Sequence, residues 1–240
     1  MNLNEIERFS KVSIHIGGAA KMNIAMIPAR MGSQRLKRKN LREIEGIPLI
    51  TRAIRKCAAA GVFEEIWVNS EHPDFGEIAE KEGVFFHKRT PELASDTATS
   101  EEFIYEFLKA HDCEFLFQVH TIAPLLTAGQ VSEFVEHMTT GPYDVLVSIV
   151  NEQIECAFEN KPVNFDFTRK TNSQEIAPVQ RLTWSITGWR SETYVAAYES
   201  GKCATYSGRI GFYPLDRLSG HIIKNEEDLR IAEALLRLRE

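Results

Sequence analysis

The stretch from Ile27 to Asn40, Ile-Pro-Ala-Arg-Met-Gly-Ser-Gln-Arg-Leu-Lys-Arg-Lys-Asn, constrains this chain more than any other. The apolar run Ile24 to Ile27 ahead of it predicts a buried strand. Pro28 ends that strand, because proline has no N–H to give to a ladder. A bend at Gly32-Ser33 follows, and five basic residues fall in the ten from Arg30 to Lys39. Beyond Gly46-Ile47-Pro48, Leu49, Ile50, Ala53, Ile54, Cys57 and Ala58 recur at helical spacing. Strand, basic loop and helix in that order present backbone N–H groups and cations to an anion at the carboxyl end of a parallel sheet. A solvated basic turn between two elements is the plainer alternative. The coincidence of charge, glycine and element order favours phosphate.

The remaining segments extend the same rhythm. Strands are predicted at Val62–Asn69, Val84–His87, Phe115–Val119 and Asp144–Val150. Helices are predicted at Pro73–Glu82, with Gly83 beyond its end, from Ser100 to about Ala110, and at Ala128–Met138. Such alternation specifies an α/β fold with a Rossmann-like, doubly wound, mostly parallel sheet. From 151 to 183 the rhythm gives way to a polar excursion containing Pro162 and Pro178, with a short strand expected at Val163–Phe167. Trp184–Trp189 reads as a strand returning to the sheet. The helix Ser191–Tyr198 and strands near Ala204–Tyr206 and Ile210–Tyr213 come next. A last helix begins near Asn225, with acids in its first turn and the stripe Leu229, Ala232, Leu235, Leu236 expected on the sheet.

Composition narrows the function. With 240 residues the chain makes one domain, 22–240, preceded by an arm at 1–21 whose origin, native or added, is open. A net charge of −6 argues against a general nucleic-acid binder, so the basic loop is a local feature of an acidic protein. Cys57, Cys113, Cys156 and Cys203 are far apart and show no zinc spacing, which suits free thiols in a reducing compartment. No apolar run reaches the roughly 20 residues that span a bilayer. The expectation is a cytoplasmic protein without membrane contact.

The segment IPARMGSQRLKRKN resembles the nucleotide-binding signature of the cytidylyltransferases that make CMP-activated ulosonic acids, the CMP-sialic acid and CMP-Kdo synthetases. Pro28, Ala29, Arg30, Gly32, Ser33, Lys39 and Asn40 fit that signature; Gln34 stands where the family has a basic residue, beside Arg35. A second stretch, Arg89 to Ser100 (RTPELASDTATS), is similar to the family's arginine-led loop. Read alone, LASDTATS is an N-capping segment, and both roles are compatible. The resemblance covers most of the chain from Met22 to Leu236. It implies cytidylyl transfer from CTP to the hydroxyl of an acidic, sialic-acid-like sugar, with release of pyrophosphate, Mg²⁺ as cofactor, and a homodimer formed through the excursion.

Transfer at an α-phosphorus requires the triphosphate neutralised and nucleophile and phosphorus held in line. Arg30 and Lys39, bracketing the loop, are the catalytic candidates. Ala29, Gly32, Ser33, Asn40, Arg89, Ser95, Asp96 and His120 are the substrate-binding candidates, with Gly32 and Ser33 letting amides approach closely. Arg35, Lys37 and Arg38 are left between solvent and partial engagement. Two stretches depart from the pattern. In Val119–Leu126, His120 replaces a glutamine and Ile122-Ala123 replace two hydroxyl residues, which points to an altered acceptor site. In Ile222–Leu229 the two metal-associated aspartates have become Ile222 and Lys224, while Asp228 reads as a helix-start residue. Metal ligands are therefore unassigned and Mg²⁺ binding is expected to be weakened. Thr187-Gly188 stands where relatives have Asn-Gly near the sugar. The rival readings are nucleotidyl transfer with another nucleotide or acceptor, and a non-catalytic nucleotide-binding protein.

Overall fold

A computed structural model describes residues 22–238; the arm expected at 1–21 lies outside them. The main sheet has seven strands: β1 Asn23–Pro28, β2 Glu65–Ser70, β3 Phe85–Lys88, β4 Phe115–Val119, β5 Val145–Glu152, β6 Val179–Arg190 and β7 Ile210–Pro214. Their order is β3-β2-β1-β4-β6-β5-β7. All pairings are parallel except those of β6, which runs against both β4 and β5. The order reverses between β1 and β4, and in open α/β sheets such a switch point opens a crevice at the strands' carboxyl ends.

Strand β1 shows why the sheet is central. Ile24 and Met26 face one helical layer and Ala25 and Ile27 the other, and all four are fully buried. A strand covered on both faces needs this uninterrupted apolar run. On one side lie α1 (Leu49–Ala60), α2 (Pro73–Lys81) and α4 (Ala128–Thr140); on the other lie α3 (Ser100–Ala110) and α5 (Ser191–Glu199). Thr99 with Glu102, and Thr127 with Gln130, form reciprocal capping boxes that start α3 and α4. Between β1 and α1, residues 43–48 make a small hairpin, and its turn places Glu45 and Gly46 at φ 50° and 71°. A two-residue hairpin turn favours that left-handed pair.

The structure corrects several expectations. The segment Ala204–Tyr206 is a 3₁₀ turn, not a strand, held by Glu101, which accepts from Thr205 N–H. Residues Val163–Phe167 form no strand; the excursion instead carries a hairpin pairing Ala157–Phe158 with Lys161–Pro162. Strand β6 starts at Val179, inside the expected excursion, and its register with β5 shifts between Leu182 and Thr187, where Trp184 sits at φ 55°. Ala58 is exposed, and Lys56 is buried on α1 instead, its ammonium donating to Ala123 O at 2.6 Å. The last helix, α6 (Glu226–Leu236), packs Leu229 and Ala232 on Leu36, Ile44, Leu49 and Ile223, not on the main sheet. That small cluster joins the basic loop, the hairpin and α6 into a wall beside the crevice.

Candidate functional site

A cleft of about 520 Å³ opens at the carboxyl ends of β1 and β4, lined by residues of the basic loop, the start of α3 and the segment after β4. Ala29 N–H still donates to Asn69 O at 3.0 Å, so the chain leaves the sheet only at Arg30. Leu36, 5% exposed, anchors the middle of the loop in the α6 cluster. Asn40 closes it: its amide donates to Arg30 O at 2.9 Å, and its carbonyl accepts from Thr121 Oγ1 at 2.6 Å. Being 5% exposed, Asn40 acts as a strut that ties the β1 loop to the β4 loop.

The cations occupy distinct positions. Arg30 extends over the rim and pairs with Asp96 Oδ1 at 2.9 Å, also donating to Ser95 O at 3.3 Å. Gln34 donates to the other oxygen of Asp96 at 2.9 Å. Lys39 lines the cleft with its pKa lowered, first by burial and then by Arg35 and Arg30. Lowering from those sources marks a place short of negative charge, and an anion entering the cleft would reverse it. Arg35 also lines the cleft, while Lys37 and Arg38 are exposed.

Arg89, directly after β3, is 3% exposed yet lines the cleft. Burial lowers its pKa, and Glu71 opposes that effect. The guanidinium donates to Ala29 O at 3.0 Å, lies 3.5 Å from Glu71 Oε2 and sits 4.7 Å above the Phe103 ring. Glu71 Oε1 in turn accepts from Met31 N–H at 2.8 Å. One carboxylate thus secures both motif loops. The sequence reading missed Glu71, Phe103, Thr121 and Gln34. The available signal was positional, since Glu71 follows the carboxyl end of β2 and Phe103 lies in the first turn of α3.

On the other side of the cleft, His120 N–H donates to Ser185 O at 3.1 Å, and its Nε2 lies 2.9 Å from Gln118 Oε1. Burial, with Lys39 nearby, pushes the His120 pKa down to about 4. The ring is neutral at pH 7 and works by hydrogen bonding, not by charge. Gln118 and Thr187 face each other across β4 and β6. Gly188 is explained by packing, because a Cβ there would come 2.8 Å from the Phe117 ring. Of the ten candidates, Ala29, Arg30, Ser33, Lys39, Asn40, Arg89 and His120 line the cleft; Gly32, Ser95 and Asp96 lie on the loops beside it.

Lys224 is exposed, in a separate hollow of about 300 Å³ with Arg181, His221 and Asp228. The connection to the cleft runs through its neighbour, as Ile223 N–H donates to Ile122 O at 2.9 Å and Ile122 lines the cleft. Asp228 accepts from the N–H groups of Lys224 and Asn225 and completes the capping box of α6. Among the described residues no group of three or more His, Cys, Asp or Glu is gathered to hold a metal ion. At the positions in question, Ile222 and Lys224 offer no carboxylate to Mg²⁺. Another hollow, about 530 Å³, lies at the opposite end of the sheet around α5 and contains no motif residue. Among the described residues no helix is long and apolar enough to cross a membrane.

Comparison with known proteins agrees with this geometry. A family model described as cytidylyltransferase matches residues 24–214. N-acylneuraminate cytidylyltransferase A of Danio rerio is 33% identical over 127 residues, covering 52% of this chain and 30% of the relative. The B enzyme of that fish is 26% identical over 201 residues, 80% of this chain and 46% of the relative. The chain thus spans less than half the length of these relatives. The fold matches the CMP:2-keto-3-deoxy-manno-octonic acid synthetase complexed with CTP, with a TM-score of 0.70 at 16% identity over 91% of this chain and all (100%) of that one. It also matches 4-diphosphocytidyl-2C-methyl-D-erythritol synthase from Anaerococcus prevotii, with a TM-score of 0.66 at 16% identity over 90% of this chain and 96% of that one. The family match takes in the β1 loop, the Arg89 loop and the β4 loop in a single span, and by it this chain belongs to the cytidylyltransferase family.

Proposed function

We propose that the protein transfers CMP from CTP to the hydroxyl of an acidic, sialic-acid-like sugar and releases pyrophosphate. The observation that carries this reading is the cleft at the switch point, where Lys39, Arg35 and Arg30 meet the buried Arg89. Four cations around one opening suit a triphosphate. In the reaction the acceptor hydroxyl releases its proton to solvent as its oxygen attacks the α-phosphorus, the bond from that phosphorus to the oxygen bridging to the β-phosphorus breaks, and pyrophosphate leaves with Lys39 and Arg30 offsetting its charge. The backbone amide at Gly32 approaches the phosphates, where a side chain would meet no protein atom within 4 Å, while Ser33 N–H donates to Met31 O at 3.0 Å. Arg89, fixed by Ala29 O and Glu71, belongs to the cytidine end, and neutral His120 to the acceptor. The acylneuraminate cytidylyltransferases among its relatives support an acidic sugar as the acceptor.

Mg²⁺ enters this reading as a companion of the triphosphate, and no step is assigned to a protein-held ion. The homodimer also belongs to the proposal. Ile154, Phe158, Val163 and Phe167 of the excursion are 53–70% exposed, the kind of apolar surface that a second copy would cover. Displacement of a fluorescent nucleotide by CTP, UTP, ATP and GTP tests the first half of the proposal, and pyrophosphate release across a panel of acidic sugars tests the second. CTP should displace best. Equal displacement by all four removes the cytidine assignment, and CTP binding without turnover on any acceptor favours the non-catalytic rival.

A further inference from the structure

Arg30, the cation expected to meet phosphate, already holds an anion. Its guanidinium is 2.9 Å from Asp96 Oδ1, and Gln34 reaches Asp96 Oδ2 at 2.9 Å, so both carboxylate oxygens are taken by residues that line the cleft. Arg30 also holds Ser95 O. A planar carboxylate between a guanidinium and an amide presents two oxygens much as a phosphate does. Gln34 is the one mismatch in the first motif, and a neutral donor there can complete this grip without adding another charge. The loop carrying Asp96 is itself shaped to present it: Ser95 Oγ accepts from Ala98 N–H and meets Thr97 Oγ1 at 3.1 Å.

We propose that Asp96 is a built-in competitor of the triphosphate, a carboxylate that occupies Arg30 and Gln34 until CTP displaces it, and so sets nucleotide affinity. The inference rests on the cleft being the triphosphate site. The contact bridges the β1 loop to the Arg89 loop. On binding, a phosphate takes over Arg30 and Asp96 turns to solvent, away from Gln34, which its 58% exposed side chain allows. Arg30 is itself 37% exposed, so the pair is worth less than about fivefold in an equilibrium. The latch is therefore weak enough for a multiply charged ligand to open.

Calorimetric titration of the full chain with CTP and, separately, with inorganic tripolyphosphate tests the latch. Asp96→Asn keeps the shape and removes the charge, and should bind both ligands about three- to fivefold more tightly than wild type. Gln34→Met should shift affinity in the same direction by less, and should add nothing on the Asp96→Asn background, since its partner there is already weakened. Should Asp96→Asn not fold, Gln34→Met carries the test alone. Unchanged or weaker tripolyphosphate binding in these variants overturns the latch, whatever CTP does. If Asp96→Asn tightens tripolyphosphate while wild type shows no preference for CTP over it, the latch stands and the cytidine reading falls.

Discussion

The two sides of the cleft are built differently. On the side proposed for the nucleotide, three loops are locked together by buried and half-buried polar ties: Asn40 to Arg30 O and Thr121, Arg89 to Ala29 O, and Glu71 to Met31 N–H. The side proposed for the acceptor has His120 as its titratable group, an isoleucine at position 122 and a backbone bond from Ile223, and Lys224, beyond Ile223, occupies another hollow. Buried polar ties fix geometry because each partner, once out of water, is costly to leave unmatched. Apolar walls tolerate exchange. The first side is therefore the part of the cleft that admits few residue types, and the second the part freer to change.

Lys39→Ala gives the largest effect. Loss of a charge-assisted contact to phosphate should cost about 1.5–3 kcal/mol of CTP affinity. The folded protein should not be destabilised by loss of the charge, because burial, Arg35 and Arg30 already disfavour the ammonium. Calorimetry beside thermal unfolding checks this; unchanged CTP binding would break the contrast between the two sides.

His120 yields a smaller effect, read against pH. Its folded pKa of about 4 lies below the ordinary 6.5, so the unfolded chain takes up the proton first. The stabilisation is whole above pH 6.5 and is lost as pH falls through the window down to 4. After allowance for partial solvent contact, the loss should be roughly 2 kcal/mol across that window. His120→Gln should flatten that limb in denaturant unfolding at pH 7, 5 and 4; an unaltered limb would show that His120 is not held neutral.

The smallest effect is expected at Lys224. As an exposed residue outside the cleft, its replacement by Ala should change stability by no more than about 0.5 kcal/mol and leave turnover unchanged. Lys224→Asp should likewise leave the Mg²⁺ dependence of turnover where it was. A steeper Mg²⁺ requirement in Lys224→Asp alone would instead bring the position into the site and make the acceptor side charged.

Much of this could be read before the structure. The apolar run at Ile24–Ile27 and the helical spacing from Leu49 carry their own physics, and the strand–loop–helix order located the cleft. What the sequence hid were partners distant along the chain. Nothing near Asp96 indicates that Arg30 and Gln34 will hold it, and nothing near Glu71 shows that it serves two loops. The stripe on α6 was visible, but not its target, because one apolar face fits a sheet or a loop cluster equally well. Ala204–Tyr206 looked extended since Thr and Tyr suit strands; the bond from Thr205 N–H to Glu101 decided otherwise.

Strand β6 has a consequence for how the chain assembles. It sits between β4 and β5 although it follows both in sequence, and among the described residues it is the one strand that joins the four-stranded half to the β5–β7 pair. During synthesis, β5 emerges with an almost wholly apolar run from Val145 to Val150 and without a native partner strand until Val179–Arg190 has arrived. The polar excursion is thus also a delay line, whose length sets how long that apolar strand waits unpaired. Long-range pairing of this kind is slow and exposes strand edges to other chains. The stage most vulnerable to aggregation in this fold is the interval between β5 and β6, and the late element β6 ends it by zipping the two halves together.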